Sequence, residues 1–349
     1  MSKKLKLGWV GSGFIGQVAH LINYVELPNV EIVGLAELRP KLGKLACRKY
    51  GIPRYYPDHR ALLDDPDIEA VVAIVRRKHT APIALDILDK GFHLFTEKPM
   101  APTVDQGKKL VDASINNNCT YVTGYMRRHD EGVQIAKRML DNLRSSGELG
   151  DILYFRFYCF GGKDYCNISG NIKTDEPPPD HRIWPMAPDW LPEKLENEFE
   201  RFLNVFIHDI NLIQYLFDSL PEIKNVDYHK LAGTLNLEFN NIPGVFEFGC
   251  LETNRFWAEG VDIYFEHGQM QIKLPPAFLI NYPATVNIHK DKSDKSIETI
   301  YPKSDWTWSF MKQAESFVEV VLSGDKSIAS AEDGLQDIEF VENVWKKII

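Results

Sequence analysis

The chain has 349 residues, of which 44% are hydrophobic and 26% are charged, and its formal net charge is -9. This length accommodates two domains, and the composition is that of a globular protein that buries a sizeable core. A negative balance without a basic face argues against a nucleic-acid partner. No apolar run approaches the ~18 residues that a membrane span requires, and the glycine-broken run after the basic start favours a strand over a signal peptide.

The five cysteines are odd in number and show no Cys-x-x-Cys spacing. This pattern predicts a reducing, cytoplasmic environment, and it supports neither a disulfide framework nor a metal site. The cysteines are Cys47, Cys119, Cys159, Cys166 and Cys250.

A strand, a tight turn and a helix are predicted at the start of the chain. The apolar run at 6–10 breaks into Gly11-Ser-Gly-Phe-Ile-Gly16 and continues into a helical stretch at 17–24. Gly11 can take the turn, Gly13 lets a pyrophosphate approach the backbone, and Gly16 lets helix and strand pack closely. The helix N-terminus then offers free N–H groups to phosphates. The alternative is an ordinary glycine-rich turn.

A second apolar run at 31–36 ends in Glu37, 21 residues after Gly16. This offset is typical of the acidic side chain that binds the adenosine ribose of a dinucleotide. Glu37 favours NAD because a carboxylate repels a 2′-phosphate. Arg39 leaves NADP open, since it could stack on adenine or hold that phosphate.

Short strands continue to alternate with helices up to about Gly124, which predicts a parallel sheet covered on both faces. Helices are predicted at 40–50, 81–90 and 104–117, and strands at 70–75, 92–96 and 120–123. The strand at 92–96 ends in Glu97-Lys98-Pro99. Ligands of such sheets bind beyond the carboxyl ends of the strands, so Lys98 is predicted to point into the crevice that holds the nicotinamide. The alternative is a strand-end turn with a solvated charge pair.

The pattern changes after Gly124, where a helix at 131–143 and a long aromatic strand at 152–160 are predicted. The segment 161–200 has little periodicity and carries Pro177 to Pro179, Trp184 and Trp190. It is predicted to be a loop that covers substrate. The alternative is an ordinary surface loop. A helix at 202–217 precedes six strand-like runs with hairpin connections, which predict a largely antiparallel sheet. The runs lie at 225–230, 232–239, 245–252, 261–266, 269–273 and 284–289, and helices follow at 308–322 and 331–347.

Five landmarks resemble, in the same order, those of the glucose–fructose oxidoreductase, inositol dehydrogenase and MocA (Gfo/Idh/MocA) family. They are Gly11–Gly16, Glu97-Lys98-Pro99, Gly124-Tyr-Met-Arg-Arg128, Asn204-Val-Phe-Ile-His208 and the closing 331–335 segment. The resemblance covers nearly the whole chain. It implies an α/β fold, with an N-terminal Rossmann dinucleotide-binding domain at 1–125. A C-terminal α+β domain at 126–349 would carry an open, mostly antiparallel sheet for substrate binding and oligomerisation.

The family resemblance also implies an activity: NAD(P)-dependent oxidation or reduction of a secondary alcohol carbon on a sugar, nucleotide sugar or cyclitol. Lys98 corresponds to the lysine that hydrogen-bonds substrate, and His208 to the histidine that transfers the proton. Which of the two takes the proton stays open. Arg127 falls where cyclitol-oxidising relatives contact substrate. A homodimer or homotetramer is implied, with no nucleic acid or membrane partner.

Three departures from the family pattern affect the site. Asn204 stands where many relatives have Asp, and an amide cannot accept a proton at neutral pH. The Gly-Gly pair that usually precedes this helix is replaced by 200–203. A basic run at 75–79 replaces a Thr-Pro pair, and it either binds a phosphate or carboxylate or is a solvated turn.

The predicted site residues form two sets, and no metal ligand is among them. The predicted cofactor-binding residues are Gly11, Gly13, Phe14, Ile15, Gly16, Glu37, Arg39, Val75, Arg76, His79, Glu97 and Lys98. The predicted substrate-binding residues are Lys98, Arg127, Trp184, Asn204 and His208, with Lys98 and His208 catalytic. Two alternatives remain: a glycoside hydrolase that uses NAD transiently, and a non-catalytic NAD(P)-binding regulator.

Overall fold

The computed structural model describes residues 4–163, 168–177, 184–292 and 297–349. The chain forms two compact units. The first comprises Met1–Tyr125, Ile168–Glu196 and Phe310–Glu339, and the second Met126–Asn167, Asn197–Ser309 and Phe340–Ile349. The sequence placed everything after residue 125 in the second domain, whereas segments 168–196 and 310–339 belong to the first unit. Cys166 and Pro178 to Asp180 lie outside the described residues.

A six-stranded parallel sheet forms the centre of the first unit, with strand order β3-β2-β1-β4-β5-β6. The strands are β1 (Leu5–Val10), β2 (Val30–Ala36), β3 (Arg54–Tyr56), β4 (Ala70–Ala73), β5 (His93–Glu97) and β6 (Tyr121–Gly124). The side chains of the strands other than β3 are mostly buried, because helices cover both faces of a parallel sheet. The predicted Rossmann-type α/β architecture is confirmed.

Three helices of the first unit begin at recognisable signals. A π-helical turn (Gly16–Leu21) leads into α1 (Ile22–Tyr24), and Pro40 opens α2. The Asp58 and Thr103 side chains accept hydrogen bonds from the first turns of α3 and α5, which satisfies N–H groups that have no partner within the helix. The later helices are α2 (Pro40–Tyr50), α3 (His59–Leu63), α4 (Arg77–Asp89) and α5 (Val104–Asn116).

Aromatic packing explains why residues 310–339 belong to the first unit. Phe317 of α8 (Ser309–Ser323) lies 5.6 Å from Phe95, centroid to centroid, and Phe310 lies 5.4 Å from His20. At the start of α9 (Ala331–Ile348), a Cβ on Gly334 would lie 2.9 Å from Met100 Sδ. These contacts bury apolar surface against the sheet, which the predicted helix periodicity could not reveal.

The second unit is built on an eight-stranded mixed sheet with strand order β14-β13-β12-β11-β7-β10-β9-β8. Only the β7–β10 pair is parallel among the strands described, so the prediction of a mostly antiparallel sheet is confirmed. The strands are β7 (Ile152–Gly161), β8 (Glu222–His229), β9 (Ala232–Phe239), β10 (Ile242–Cys250), β11 (Trp257–Phe265), β12 (Gly268–Leu274), β13 (Thr285–Lys290) and β14 (Glu298–Ile300). Helices α6 (Glu131–Ser146) and α7 (Glu196–Phe217) accompany it. Phe202 and Phe206 of α7 pack edge-on or tilted against Phe248 and form its aromatic core.

Element positions agree closely with prediction, with local differences. Helix α2 and strand β9 have the predicted bounds. Helix α4 begins at Arg77 rather than 81 and contains Pro82 in its interior, although a proline more often marks a helix start. The sequence missed β3, α3 and β14, which have five residues or fewer and too little periodicity to detect.

Across the ranges that the structure describes, no helix combines the length and apolarity needed to cross a membrane. Within those ranges, no cluster of three or more His, Cys, Asp or Glu side chains is arranged to hold a metal ion.

Candidate functional site

The strand order of the first unit changes direction between β1 and β4, because β2 lies on one side of β1 and β4 on the other. Ligands of open parallel sheets bind at such a point, beyond the carboxyl ends of the strands. The Gly11–Gly16 turn follows β1, and the 74–79 segment follows β4. The two meet: a Cβ on Gly11 would lie 2.3 Å from the Ile74 carbonyl oxygen and 3.1 Å from Val75 Cγ1.

The glycine turn fits a pyrophosphate. Gly11 has φ of 90°, in the left-handed region that favours glycine. A Cβ on Gly13 would meet nothing within 4 Å, so the space beside this backbone is open to a ligand. A Cβ on Gly16 would approach the Gly11 carbonyl oxygen to 3.2 Å, so the start of the helix packs closely against the turn at this glycine. Phe14 is exposed and Ile15 is partly exposed beside this turn.

Helix geometry after the glycines is unusual. Residues 16–21 form a π-helical turn and are all buried. Such turns are rare and are often found at functional sites. This turn carries Gln17, whose Nε2 donates to the Ser12 carbonyl at 2.8 Å. It also carries His20, whose Nε2 lies 2.7 Å from Glu97 Oε1.

Glu37 follows β2 and turns its carboxylate toward the glycine turn. Ser12 donates to Glu37 Oε2 through both its backbone N–H and its hydroxyl, each at 2.9 Å. Arg39 donates to the same carboxylate from Nε at 2.8 Å and Nη2 at 3.0 Å. Burial alone would raise the pKa of Glu37, but the hydrogen bonds from Arg39 and Ser12 outweigh it and lower that pKa. The carboxylate is therefore held in its charged form.

The segment that follows β5 carries Lys98 at the same sheet edge. Glu97 hydrogen-bonds His20, and the Lys98–Pro99 peptide bond is cis. Desolvation lowers the pKa of Lys98 to about 8; the Glu97 charge opposes this shift and the Arg77 charge adds to it. A lysine with this pKa exchanges its proton near neutrality, which suits general acid–base chemistry.

The basic run after β4 has the form of a helix start. Arg76 is the N-terminal cap of α4, and its carbonyl accepts from the His79 N–H at 2.7 Å. Arg76 and Arg77 are exposed, while Val75 and His79 are partly buried. The predicted cofactor contacts of Val75, Arg76 and His79 stay predictions.

In the second unit, Asn204 and His208 share one face of α7. Both are partly exposed, whereas Phe202, Phe206 and Ile207 are buried. The two polar residues therefore lie outside the aromatic core, as the i and i+4 spacing predicts for a shared face. Their substrate roles stay predictions.

Arg127 is also in the second unit, and it is buried among protein partners. Its guanidinium forms an ion pair with Glu259 and donates to the Pro275 carbonyl at 2.8 Å. Only 3% of Arg127 is exposed. The described contacts give Arg127 a role inside the second unit, and its substrate contact remains a prediction.

The long connection after β7 returns to the first unit at residue 168. Trp184 lies over α5, with Lys109 Nζ 5.6 Å from its ring centroid. The adjacent Pro185 carbonyl accepts from Gln106 Nε2 at 2.8 Å. Residues 164–167 and 178–183 of the predicted covering loop lie outside the described residues, and the loop's substrate role stays a prediction.

The structure gathers the predicted cofactor residues of the first unit at one sheet edge. The substrate set is divided: Lys98 and Trp184 are in the first unit, and Arg127, Asn204 and His208 are in the second. Ser12 and His20 were missed by the sequence reasoning. The serine between two fingerprint glycines was a usable signal for Ser12, whereas the His20–Glu97 contact spans 77 positions and gave none.

Comparison with known proteins shows which family the first part of the chain is similar to. Residues 5–125 match the model of the GFO_IDH_MocA oxidoreductase family, described as an NAD-binding Rossmann fold. Levoglucosan dehydrogenase of Pseudarthrobacter phenanthrenivorans is 31% identical over 44% of this chain and 40% of its own length. An inositol 2-dehydrogenase/D-chiro-inositol 3-dehydrogenase of Lacticaseibacillus casei is 32% identical over 39% of this chain and 40% of its own length.

A solved structure extends the likeness of fold to the whole chain. A 3-ketoreductase from Actinomadura kijaniata, in complex with NADP and TDP-benzene, superimposes with a TM-score of 0.74 at 17% identity. The superposition covers 99% of this chain and 98% of that one. The sequence matches to the two curated relatives, in contrast, span about two fifths of their length.

Proposed function

We propose that this chain, whose residues 5–125 match the GFO_IDH_MocA oxidoreductase family model, is an NAD(P)-dependent oxidoreductase acting on a secondary alcohol carbon. The substrate class is a sugar, nucleotide sugar or cyclitol. One observation carries the proposal: a single sheet edge bears an open glycine turn, a charged ribose-type carboxylate and a lysine with pKa of about 8. These are the parts that dinucleotide binding and proton exchange require.

The glycine turn and Glu37 are the residues that would hold the dinucleotide. The open space at Gly13 admits the pyrophosphate, and the free N–H groups that follow favour its charge. Glu37 is held by Ser12 and Arg39 at the position of a ribose ligand. When bound, the nicotinamide supplies hydride exchange.

Proton exchange at the reacting oxygen falls to Lys98 and His208. As a cation, Lys98 stabilises negative charge that develops on that oxygen. As a neutral amine, it accepts a proton, and its pKa of about 8 allows both states near neutrality. His208 is the second proton-exchanging group, because imidazole titrates near neutral pH, and Asn204 positions substrate through its amide.

The remaining finer assignments are part of the same proposal. Arg127 and Trp184 contribute to substrate binding, directly or by shaping the units that carry them. NAD is the preferred dinucleotide, since Glu37 repels a 2′-phosphate. The chain assembles as a homodimer or homotetramer, which the family resemblance supports. It works in the cytoplasm, which the cysteine pattern supports.

The test is a spectrophotometric screen with the purified protein. NAD⁺ or NADP⁺ is mixed with myo-inositol, levoglucosan, free aldoses and nucleotide sugars, together with any small molecule that mass spectrometry finds copurified. We expect a rise in absorbance of the reduced nicotinamide with at least one of these alcohols. Release of an aglycone without any net change in reduced nicotinamide would instead identify the hydrolase alternative. Dinucleotide binding without either reaction would favour the regulator.

A further inference from the structure

We propose that Glu176, on the connection after β7, is a second determinant of dinucleotide choice: its carboxylate occupies the first turn of α2 and disfavours NADP. The inference rests on the proposed cofactor site and deepens it. Nothing in the glycine fingerprint or in the Glu37 offset identifies this residue, which lies 139 positions beyond Glu37.

Glu176 caps α2 with both of its carboxylate oxygens. The Lys41 N–H donates to Oε1 and the Leu42 N–H donates to Oε2, each at 2.9 Å. Arg39, the residue at the N-cap position of this helix, makes no side-chain capping hydrogen bond. A residue from a distant segment therefore fills the role that a local Ser, Thr or Asp usually takes.

The segment that carries Glu176 is fastened to the glycine turn. The Ile172 N–H donates to Gln17 Oε1 at 2.8 Å, and Gln17 Nε2 donates back to the Ile172 carbonyl at 3.1 Å. The same Gln17 Nε2 bonds the Ser12 carbonyl at 2.8 Å. Further along α2, Lys49 Nζ donates to the Gly170 carbonyl at 2.7 Å. Glu176 is thus positioned by the residues that shape the candidate pyrophosphate cradle.

Two carboxylates converge on the start of α2. Glu37 precedes the helix, and Tyr55 donates its hydroxyl to the Glu37 carbonyl at 3.0 Å. Burial raises the pKa of Tyr55, and the charges of Glu37 and then Glu176 raise it further. The Tyr55 hydroxyl is therefore close enough to both carboxylates for their charges to act on it. Arg39 binds Glu37, and the first-turn N–H groups bind Glu176. The Lys41 ammonium pairs with Asp175, and its charge also lowers the pKa of Glu176.

This arrangement has a direct consequence for the 2′-phosphate of NADP. A phosphomonoester carries about -1.5 to -2 charges at neutral pH, and a helix N-terminus is an anion site when its N–H groups are available. Glu176 consumes those N–H groups and adds a negative charge. NAD has only a 2′-hydroxyl at this position, so Glu176 penalises NADP selectively.

The experiment is direct calorimetric titration of NAD⁺ and NADP⁺ into the intact protein and three variants. Glu176→Gln removes the charge while keeping an acceptor oxygen, and Glu176→Ala also frees both N–H groups. Asp175→Asn is the matched control, because Asp175 is the neighbouring acid and pairs only with the exposed Lys41 ammonium among its described contacts. Thermal melts establish that each variant is folded.

We expect both Glu176 variants to raise the affinity for NADP⁺ relative to NAD⁺ by about tenfold, a change of about 1.4 kcal/mol. Asp175→Asn should change the ratio by less than about twofold. An unchanged ratio in both Glu176 variants, an equal fall in both affinities, or a shift no larger than that of Asp175→Asn overturns the inference. Failure of the wild-type protein to bind either dinucleotide overturns the proposed cofactor site instead, so the two failures are distinguishable.

Discussion

The two units use buried polar side chains in different ways. In the first unit, Ser12 and Glu37 bond each other beside a glycine turn whose Gly13 adjoins open space. In the second unit, Arg127 and Glu259 pair with each other among buried neighbours. The first pair lies next to a stretch of backbone with open space beside it, whereas the second pair is enclosed by protein groups and is expected to stabilise the fold.

The second unit extends this pattern beyond one ion pair. Arg128 Nε donates to Asn211 at 2.6 Å and its Nη2 to Gln214 at 2.5 Å, which ties the segment after β6 to α7. Asp130 accepts from Gly132 in α6 and from Ala284 beside β13, each at 2.9 Å. A buried charge or amide in such a network costs free energy unless it is paired. In the motif at 124–128, Arg127 and Arg128 therefore bind other side chains of the second unit in their described contacts.

The largest effect is expected for Arg127→Met. Removing one partner of a buried ion pair leaves Glu259 uncompensated, so the free energy of unfolding should fall by about 3–5 kcal/mol, measured by urea denaturation. The double variant Arg127→Met/Glu259→Leu should recover part of this loss. A melt unchanged from wild type would mean that the ion pair does not stabilise the second unit and would strengthen the predicted substrate role.

Lys98→Met tests the first unit through its effect on turnover rather than on stability. We expect kcat/KM to fall by about 10²–10³, because an electrostatic partner of the reacting oxygen is removed. Dinucleotide affinity, measured by calorimetry, should stay within about threefold, since Lys98 is predicted to lie beside the nicotinamide and the reacting oxygen, whereas the glycine turn and Glu37 are predicted to hold the pyrophosphate and ribose. Loss of affinity in parallel with turnover would contradict this assignment.

Two glycine variants in the same turn distinguish an effect on stability from an effect on dinucleotide binding. Gly11→Ala puts a Cβ at positive φ and 2.3 Å from the Ile74 carbonyl oxygen, so it should lower the free energy of unfolding by about 1–3 kcal/mol. Gly13→Ala meets no neighbour and should change the unfolding free energy by about 0.5 kcal/mol or less. It should nevertheless weaken dinucleotide binding by at least about tenfold. Equal behaviour of the two variants in melts and titrations would remove the basis for an open cradle.

Lys98 also gives stability a pH dependence. Desolvation lowers its folded-state pKa to about 8 from 10.5. Between these values the unfolded chain holds a proton that the folded chain has released, so Lys98 makes stability rise with pH in this window. Below about pH 8 both states are protonated and the slope disappears. The difference in unfolding free energy between wild type and Lys98→Met, followed from pH 7 to 10.5, should therefore increase; a flat difference would contradict the lowered pKa.

Local chemistry made much of the fold and part of the site predictable. The glycine spacing identified the turn after β1, and the offset of Glu37 identified the carboxylate that bonds Ser12, because both depend on short stretches of chain. Strand–helix alternation likewise predicted the parallel sheet. The bounds of α2 followed from a proline start and a glycine stop.

Contacts between segments that are far apart in the chain could not be predicted from the sequence pattern. The Leu42–Glu176 hydrogen bond joins residues 134 positions apart, and neither residue belongs to a motif. Helix α8 packs on β5 through Phe317 and Phe95, although its own pattern shows only that one face is apolar. The π-helical turn that carries His20 has no periodicity signal in six residues. These features arise from packing, which a linear pattern does not encode.

Hydride transfer itself is tested most directly with a deuterium label. NADH carrying deuterium at both hydrogen positions of nicotinamide C4 is incubated with the protein and the ketone form of the substrate found in the screen, and the product is examined by mass spectrometry. We expect deuterium on the carbon that becomes the secondary alcohol, and Lys98→Met should form this product about 10²–10³ times more slowly. Product without deuterium, or cleavage of a glycosidic bond in place of reduction, would contradict it.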